Sequence, residues 1–289
     1  MELPEEPSVP NDVPAVRLAP GQWVSPTLLN TYAICPYRVR LQYIDRVLAP
    51  PRYDHFLVQG SLAHSLLKHA AQLIARRQPE PSPEKIYEMA IRRLHERNFP
   101  TVEAMEGQAR QITRWVRTGI AHLDRKADYL LIEKPRHRPF NKRDPDSDIT
   151  MTFRPDLVLQ REDDAGSFIE VIDYKTGKRR EESDVPVISR FILNSLLEEQ
   201  MPNAWQMRVR FTFIWLDIGE VETIDLDAAY CSKRWAGILR DIDRLLNETG
   251  WKPAPSILCH YCPFHENACT AYVPGLSDGN PVPAFHGGD

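Results

Sequence analysis

The 289-residue sequence predicts an α+β fold, with a mixed central β-sheet flanked by helices and an N-terminal helical region ahead of it. Three observations carry that expectation. Apolar residues recur at helical spacing as far as about residue 127. Strand patterns take over at 129–133, 151–160, 168–176 and 209–217, and helical spacing returns at 187–200 and 228–247. A hydrophobic content of 42% is ample for a core.

In order along the chain, residues 1–22 are acidic and proline-rich and are expected to be a disordered lead-in. Ser25-Pro26 has the pattern of an N-cap followed by proline at the first helical position, and the helix it opens is expected to restart at Cys35-Pro36. Further helices are expected from about Ser61 to Arg77, over 83–97 and over 104–127. The strands read YLLIE, MTFRPDLVLQ, FIEVIDYKT and VRFTFIWLD, with REDDAGS as a hairpin turn between the second and third. Residues 273–289 are expected to be a disordered tail, which leaves 23–272 as one domain.

The net charge of −4 argues against a basic nucleic-acid coat protein, but not against an enzyme whose bound cations and local basic patches offset the average. The opening residues have no apolar h-region and no run reaches transmembrane length, so a cytoplasmic protein with no membrane partner is expected. Five cysteines is an odd count, and a reducing compartment disfavours a disulfide framework.

The segment FIEVIDYKTGKRR is apolar on both faces until Asp173 and Lys175, which share the face of Ile169 and Val171. Charged residues are seldom buried unless they are paired or bind a metal. The hairpin brings Asp156 of RPDLVL to the same end of the sheet. Two carboxylates there could hold a divalent cation and the lysine could orient water or meet a phosphate; a cross-strand salt bridge is the alternative. His64 shares a helical face with Leu67, Ala71 and Ile74, so its imidazole is expected to point inward, as a third metal ligand or as an ordinary core histidine. His69 lies off that face. Cys259, Cys262 and Cys269 form C-x2-C-x6-C, a spacing at which thiolates grip one metal centre. Cys35 is a candidate fourth ligand, with His260 or His265 as rivals for a zinc site, and four thiolates suit zinc or an iron–sulfur cluster. Such a cluster would staple the two ends of the domain together. Cys231 is expected to be a small buried packing residue.

Taken in order, these motifs resemble those of the RecB-type PD-(D/E)xK nucleases, most closely the iron–sulfur branch that includes the CRISPR-associated exonuclease and AddB-type nuclease families. SPTLLNTYAICPYRVRLQYID is similar to their opening helix with Y-x-x-C-P, GSLAHSLL to their G-x-x-x-H motif, RPDLVL to their G-x-x-D strand and VIDYKTG to their D-x-K strand. CHYCPFHENAC resembles their closing cysteine triplet, so the likeness spans about 23–272. The resemblance implies a restriction-endonuclease-like core. It implies magnesium or manganese on His64, Asp156, Asp173 and the Tyr174 carbonyl, Lys175 as catalytic lysine, and a 4Fe-4S cluster on Cys35, Cys259, Cys262 and Cys269. The implied activity is metal-dependent hydrolysis of DNA, single-stranded or with free ends, by an exonuclease of DNA repair, recombination or CRISPR-type processing. A helicase or CRISPR adaptation partner fits that setting.

Three features depart from the family pattern. Gln200 is followed four residues later by Ala204 instead of completing Q-x-x-x-Y, Lys68 stands where relatives often carry glutamate, and the last cysteine gap is six residues. Basic stretches at Lys134–Arg138, Lys142-Arg143 and Lys178-Arg179-Arg180 could track a nucleic-acid backbone or simply be solvated surface. The rival from another class is a non-catalytic DNA-binding or scaffold module stapled by its metal cluster, which has no evident need for His64, Asp156, Asp173 and Lys175 together. A nucleobase deaminase also uses C-x-x-C, but its H-x-E and P-C-x-x-C signature is missing.

Overall fold

The hairpin around REDDAGS is the spine of the fold. The computed structural model describes Leu18, 23–49, 55–95, 101–132, 140–143, 150–177, 184–197, 206–265, 267–269 and Ala271. Its first half runs β1 (Trp23–Val24), α1 (Pro26–Ile34), α2 (Pro36–Val39), a π-helical turn (Arg40–Ile44), α3 (His55–Ala75), α4 (Pro83–His95) and α5 (Val102–Ala121). Then come β2 (Asp128–Ile132), β3 (Phe140–Arg143), β4 (Thr150–Phe153), β5 (Leu157–Asp163), β6 (Gly166–Lys175) and α6 (Val185–Leu197). The chain continues through β7 (Arg208–Trp215), β8 (Glu220–Asp225), α7 (Ala228–Leu246) and a 3-10 turn (Ile257–Tyr261). Two units are recognisable. One comprises Trp23–Pro26 and Tyr53–Leu239; the other comprises Met1–Gln22, Thr27–Arg52 and Arg240–Asp289.

The larger unit holds a five-stranded sheet of order β2-β5-β6-β7-β8. β6 and β7 run parallel and every other pair in that sheet is antiparallel, so it is mixed, as expected for the α+β class. Asp163 faces Gly166 across the two-residue turn of the β5–β6 hairpin, and Gly166 has φ +98, the left-handed region that favours glycine. One face of the sheet presents Leu157, Leu159, Ile172, Tyr174 and Ile214 to Leu67, Ala71 and Ile74 of α3 and Ile112 and Val116 of α5. Each leucine, isoleucine or valine among them contributes roughly 1.5–3 kcal/mol by leaving water. Phe211, Phe213 and Trp215 line the other face, where Phe213 and Trp215 sit with ring centroids 5.9 Å apart.

The strand predicted over 151–160 is two strands. β4 belongs to a separate three-stranded sheet, β1-β4-β3, while β5 joins the five-stranded one. The break falls at Arg154-Pro155-Asp156, because proline has no N–H to give the ladder and restricts the residue before it. Asp156 therefore precedes β5 instead of lying within a strand. α3 begins six residues before Ser61, and α5 ends at Ala121, short of 127. Thr101 starts α5 by accepting a hydrogen bond from Ala104 N at 3.1 Å. β1, β3 and β8 were not anticipated. β8 is exposed along nearly its whole length and offers no buried apolar face to detect. Leu18 of the expected lead-in is buried; the rest of 1–22, the tail, and Gln200 with Ala204 lie outside the described residues.

The smaller unit is organised around Trp251, buried with φ +42. Glu248 Oε1 accepts from Gly250 N at 2.7 Å and Trp251 N at 3.0 Å, and Tyr32 of α1 donates to Glu248 Oε2 at 2.8 Å. Burial, with the Glu248 hydrogen bond second, pushes the Tyr32 hydroxyl up to about 12. Cys35 precedes Pro36 at the restart between α1 and α2, as expected. Among the described residues no helix is long and apolar enough to cross a membrane.

Candidate functional site

The last residues of β6 and one turn of α3 build the site. α3 turns Leu67, Ala71 and Ile74 into the core and carries His64 at the rim of the same face, with 29% of its side chain exposed. His64 Nδ1 lies 2.9 Å from Asp156 Oδ1. Tyr174 N–H donates to Asp156 Oδ2 at 2.8 Å, so both oxygens of this carboxylate are engaged by neighbouring elements. The His64 and Tyr174 rings meet edge to face, with centroids 6.1 Å apart. Asp173 points to the opposite face of β6, is buried, and is paired through Oδ2 with the ammonium of Lys175. Lys175 Nζ also lies 5.6 Å over the Phe213 ring. Strand alternation thus divides the residues: Tyr174 toward the helices, Asp173 and Lys175 toward the aromatic row.

The electrostatics follow from burial. Burial pushes the Asp173 carboxyl above its ordinary value; Lys175 opposes that shift and Asp156 adds to it. Burial alone would lower His64, but the Asp156 carboxylate and its hydrogen bond outweigh burial and hold the imidazolium above 6.5. His64 and Asp156 are in contact, while Asp173 is near enough to feel the charges of both but touches neither. Two carboxylates and an imidazole are donors that suit a hard divalent cation that keeps several waters. Among the described residues no three His, Cys, Asp or Glu side chains converge into a ready-made cage. An ion held by one or two carboxylates plus water needs no such cage.

In the smaller unit, Cys35, Cys259, Cys262 and Cys269 line one cavity together with Arg38 and His265. All four thiols are free. Burial pushes the Cys262 thiol up; the Phe264 N–H and Arg38 oppose that, and Cys35 and Cys269 add to it. Cys259 Sγ accepts from Ser256 N at 3.3 Å, which fixes its rotamer. His265 is buried with Nδ1 2.9 Å from the Cys262 carbonyl oxygen, whereas His260 is exposed.

Sequence reasoning missed a buried polar network beside the site. Glu170, three residues before Asp173, is buried; it accepts from Arg161 at 2.6 Å and Thr212 Oγ1 at 2.5 Å, and Arg161 also pairs with Asp124 at 3.3 Å. The available signal was a lone acid inside FIEVI with an arginine near it on the hairpin partner. Cys231 on α7 is partly buried; burial raises its thiol, with Arg190 opposing. The Lys134–Arg138 and Lys178-Arg179-Arg180 stretches lie outside the described residues, and Lys142-Arg143 falls in β3.

A protein-family model, the PD-(D/E)XK nuclease superfamily, matches residues 23–269, well over half of the chain. Among curated proteins none matches. Members of the superfamily are generally nucleases that use magnesium or manganese.

Proposed function

The chain belongs to the PD-(D/E)XK nuclease superfamily, and from that membership we propose a metal-dependent deoxyribonuclease that hydrolyses phosphodiester bonds from DNA ends. The observation that carries the reading is the meeting of His64, Asp156 and the Tyr174 N–H at the end of β6, beside the Asp173–Lys175 pair. His64, Asp156, Asp173 and the Tyr174 carbonyl would hold magnesium or manganese. Such an ion, once bound, polarises the scissile phosphate and lowers the pKa of a bound water. Lys175, partly exposed and fixed between Asp173 and the Phe213 ring, orients the attacking water or donates to the phosphate oxygen as negative charge develops. The Tyr174 N–H and His64 hold the Asp156 carboxylate in one orientation.

The same reading takes the four-cysteine cavity as an iron–sulfur site that staples α1–α2 to the segment after α7. Four thiols around one cavity, with Arg38 beside them to offset thiolate charge, suit that group. The setting is DNA repair, recombination or CRISPR-type processing, with a helicase or adaptation complex as protein partner.

The test is incubation of anaerobically purified protein with end-labelled single-stranded, double-stranded and closed circular DNA, with manganese, magnesium or chelator. Cleavage of the linear substrates that requires metal is expected. Equal cleavage of circular DNA would make it an endonuclease. The Asp173–Lys175 ion pair also favours a second reading, in which the two charges merely neutralise each other within a non-catalytic DNA-binding module. DNA binding with no cleavage of any substrate would select it.

A further inference from the structure

We propose that Gly60 is a positioning residue for His64: by having no side chain it lets α3 close onto Thr176, the residue after Lys175. The inference rests on the nuclease reading of the site. Gly60 is buried in α3, and a Cβ built on it would lie 3.0 Å from Thr176 Oγ1, closer than ordinary van der Waals contact. Gly60 and His64 are four residues apart on one helix and share its face, one turn apart. A single turn of α3 therefore makes three contacts with the end of β6 and the loop before β5. Gly60 meets Thr176, His64 Nδ1 meets Asp156 Oδ1 at 2.9 Å, and the His64 and Tyr174 rings meet edge to face with centroids 6.1 Å apart.

A helix turn moves as a rigid piece, so lifting it by a few tenths of an ångström at position 60 also lifts His64 from Asp156. Glycine inside a helix is otherwise unfavourable by roughly 0.5–1 kcal/mol relative to alanine. Intrinsic propensity and site geometry therefore pull in opposite directions here, and that opposition makes the idea testable.

Gly60→Ala in the full chain is expected to lower kcat for DNA cleavage by about five- to tenfold, since a misplacement of about 1 Å can cost 10²-fold. KM for DNA should change little, manganese affinity should weaken, and the melting temperature should hold or rise. Gly60→Ala combined with Thr176→Ala, which removes Oγ1, should restore kcat and manganese binding. Thr176→Ile approaches the same contact from the strand side and should reproduce the loss, which keeps the test decisive if Gly60→Ala does not fold. Wild-type kcat and manganese affinity in Gly60→Ala, or a loss that the double variant leaves unrepaired, would overturn the proposal. If the wild-type protein cuts no DNA, the nuclease reading falls, and manganese titration of the same variants still decides whether Gly60 positions His64.

Discussion

Replacing Lys175 by alanine separates chemistry from architecture, because the two roles predict opposite pairs of outcomes. The Lys175 side chain is 36% exposed and that of Asp173 12%, so their ion pair opens to solvent on the lysine side. Such a pair contributes about 0–1 kcal/mol, well under the 3–5 kcal/mol lost when a fully buried pair is broken. The partner left behind also has an escape. Burial already pushes the Asp173 carboxyl up, and removing the lysine that opposes this shift pushes it further, so Asp173 takes a proton instead of remaining an uncompensated charge. A total cost of about 1–2 kcal/mol corresponds to a fall in melting temperature of roughly 2–8 °C for a chain of this size. Cleavage should fall much further: removing one donor to developing negative charge typically costs about 10²–10³ in rate, or about 2.7–4 kcal/mol. The assay is a thermal melt alongside single-turnover cleavage of end-labelled DNA, scaled to folded protein. A variant that loses well over 10 °C yet cleaves near the wild-type rate per folded molecule would refute the catalytic role and leave the pair as architecture.

Asp173→Asn should be at least as stable as the wild type at neutral pH when metal-free. The folded chain holds the Asp173 proton more tightly than the unfolded chain, so wild-type stability falls as pH rises from 3.8 through the raised folded value. Melts across pH should show that slope lost in the variant; an unchanged slope would remove Asp173 as its source. The His64–Asp156 pair stabilises the metal-free protein below pH 6.5 and loses that contribution as pH rises through the raised His64 value. Manganese affinity should climb across the same window with release of a proton, measured by calorimetry in buffers of different ionisation heat, and His64→Gln should flatten the climb. Cys259→Ser and Cys262→Ser should each lose iron, visible colour and solubility when purified without oxygen. Metal analysis giving one zinc and no iron in the wild type would replace the cluster with zinc, and two variants that stay folded and metal-loaded would end the staple.

What was legible in the sequence is what short-range rules govern. Period-two alternation assigned Asp173 and Lys175 to one face and Ile172 with Tyr174 to the other, and helical period gave the face His64 shares with Leu67, Ala71 and Ile74. The hairpin turn followed from glycine after Asp163-Asp164-Ala165. What escaped depends on partners distant in sequence. Glu170 looks misplaced in a buried strand until Arg161 and Thr212 arrive from the two flanking strands. The G-x-x-x-H likeness picked out Gly60 but gave no physical reason for a glycine there until Thr176 is seen 3.0 Å from where its side chain would begin. The Tyr174 N–H was invisible because backbone donors leave no trace in composition.

The break at Pro155 shows why a wrong boundary matters to the chemistry. Had 151–160 been one strand, the Asp156 side chain would stand perpendicular to a single sheet. With the strand interrupted, β4 goes to another sheet and Asp156 sits in the gap, where its two oxygens reach in two directions, to His64 on α3 and to the Tyr174 N–H on β6. The proline that cannot serve the ladder thus frees the carboxylate that joins helix to strand. It also places the contacts of Asp156 at the start of β5, ahead of the packed face that Leu157 and Leu159 occupy immediately after it.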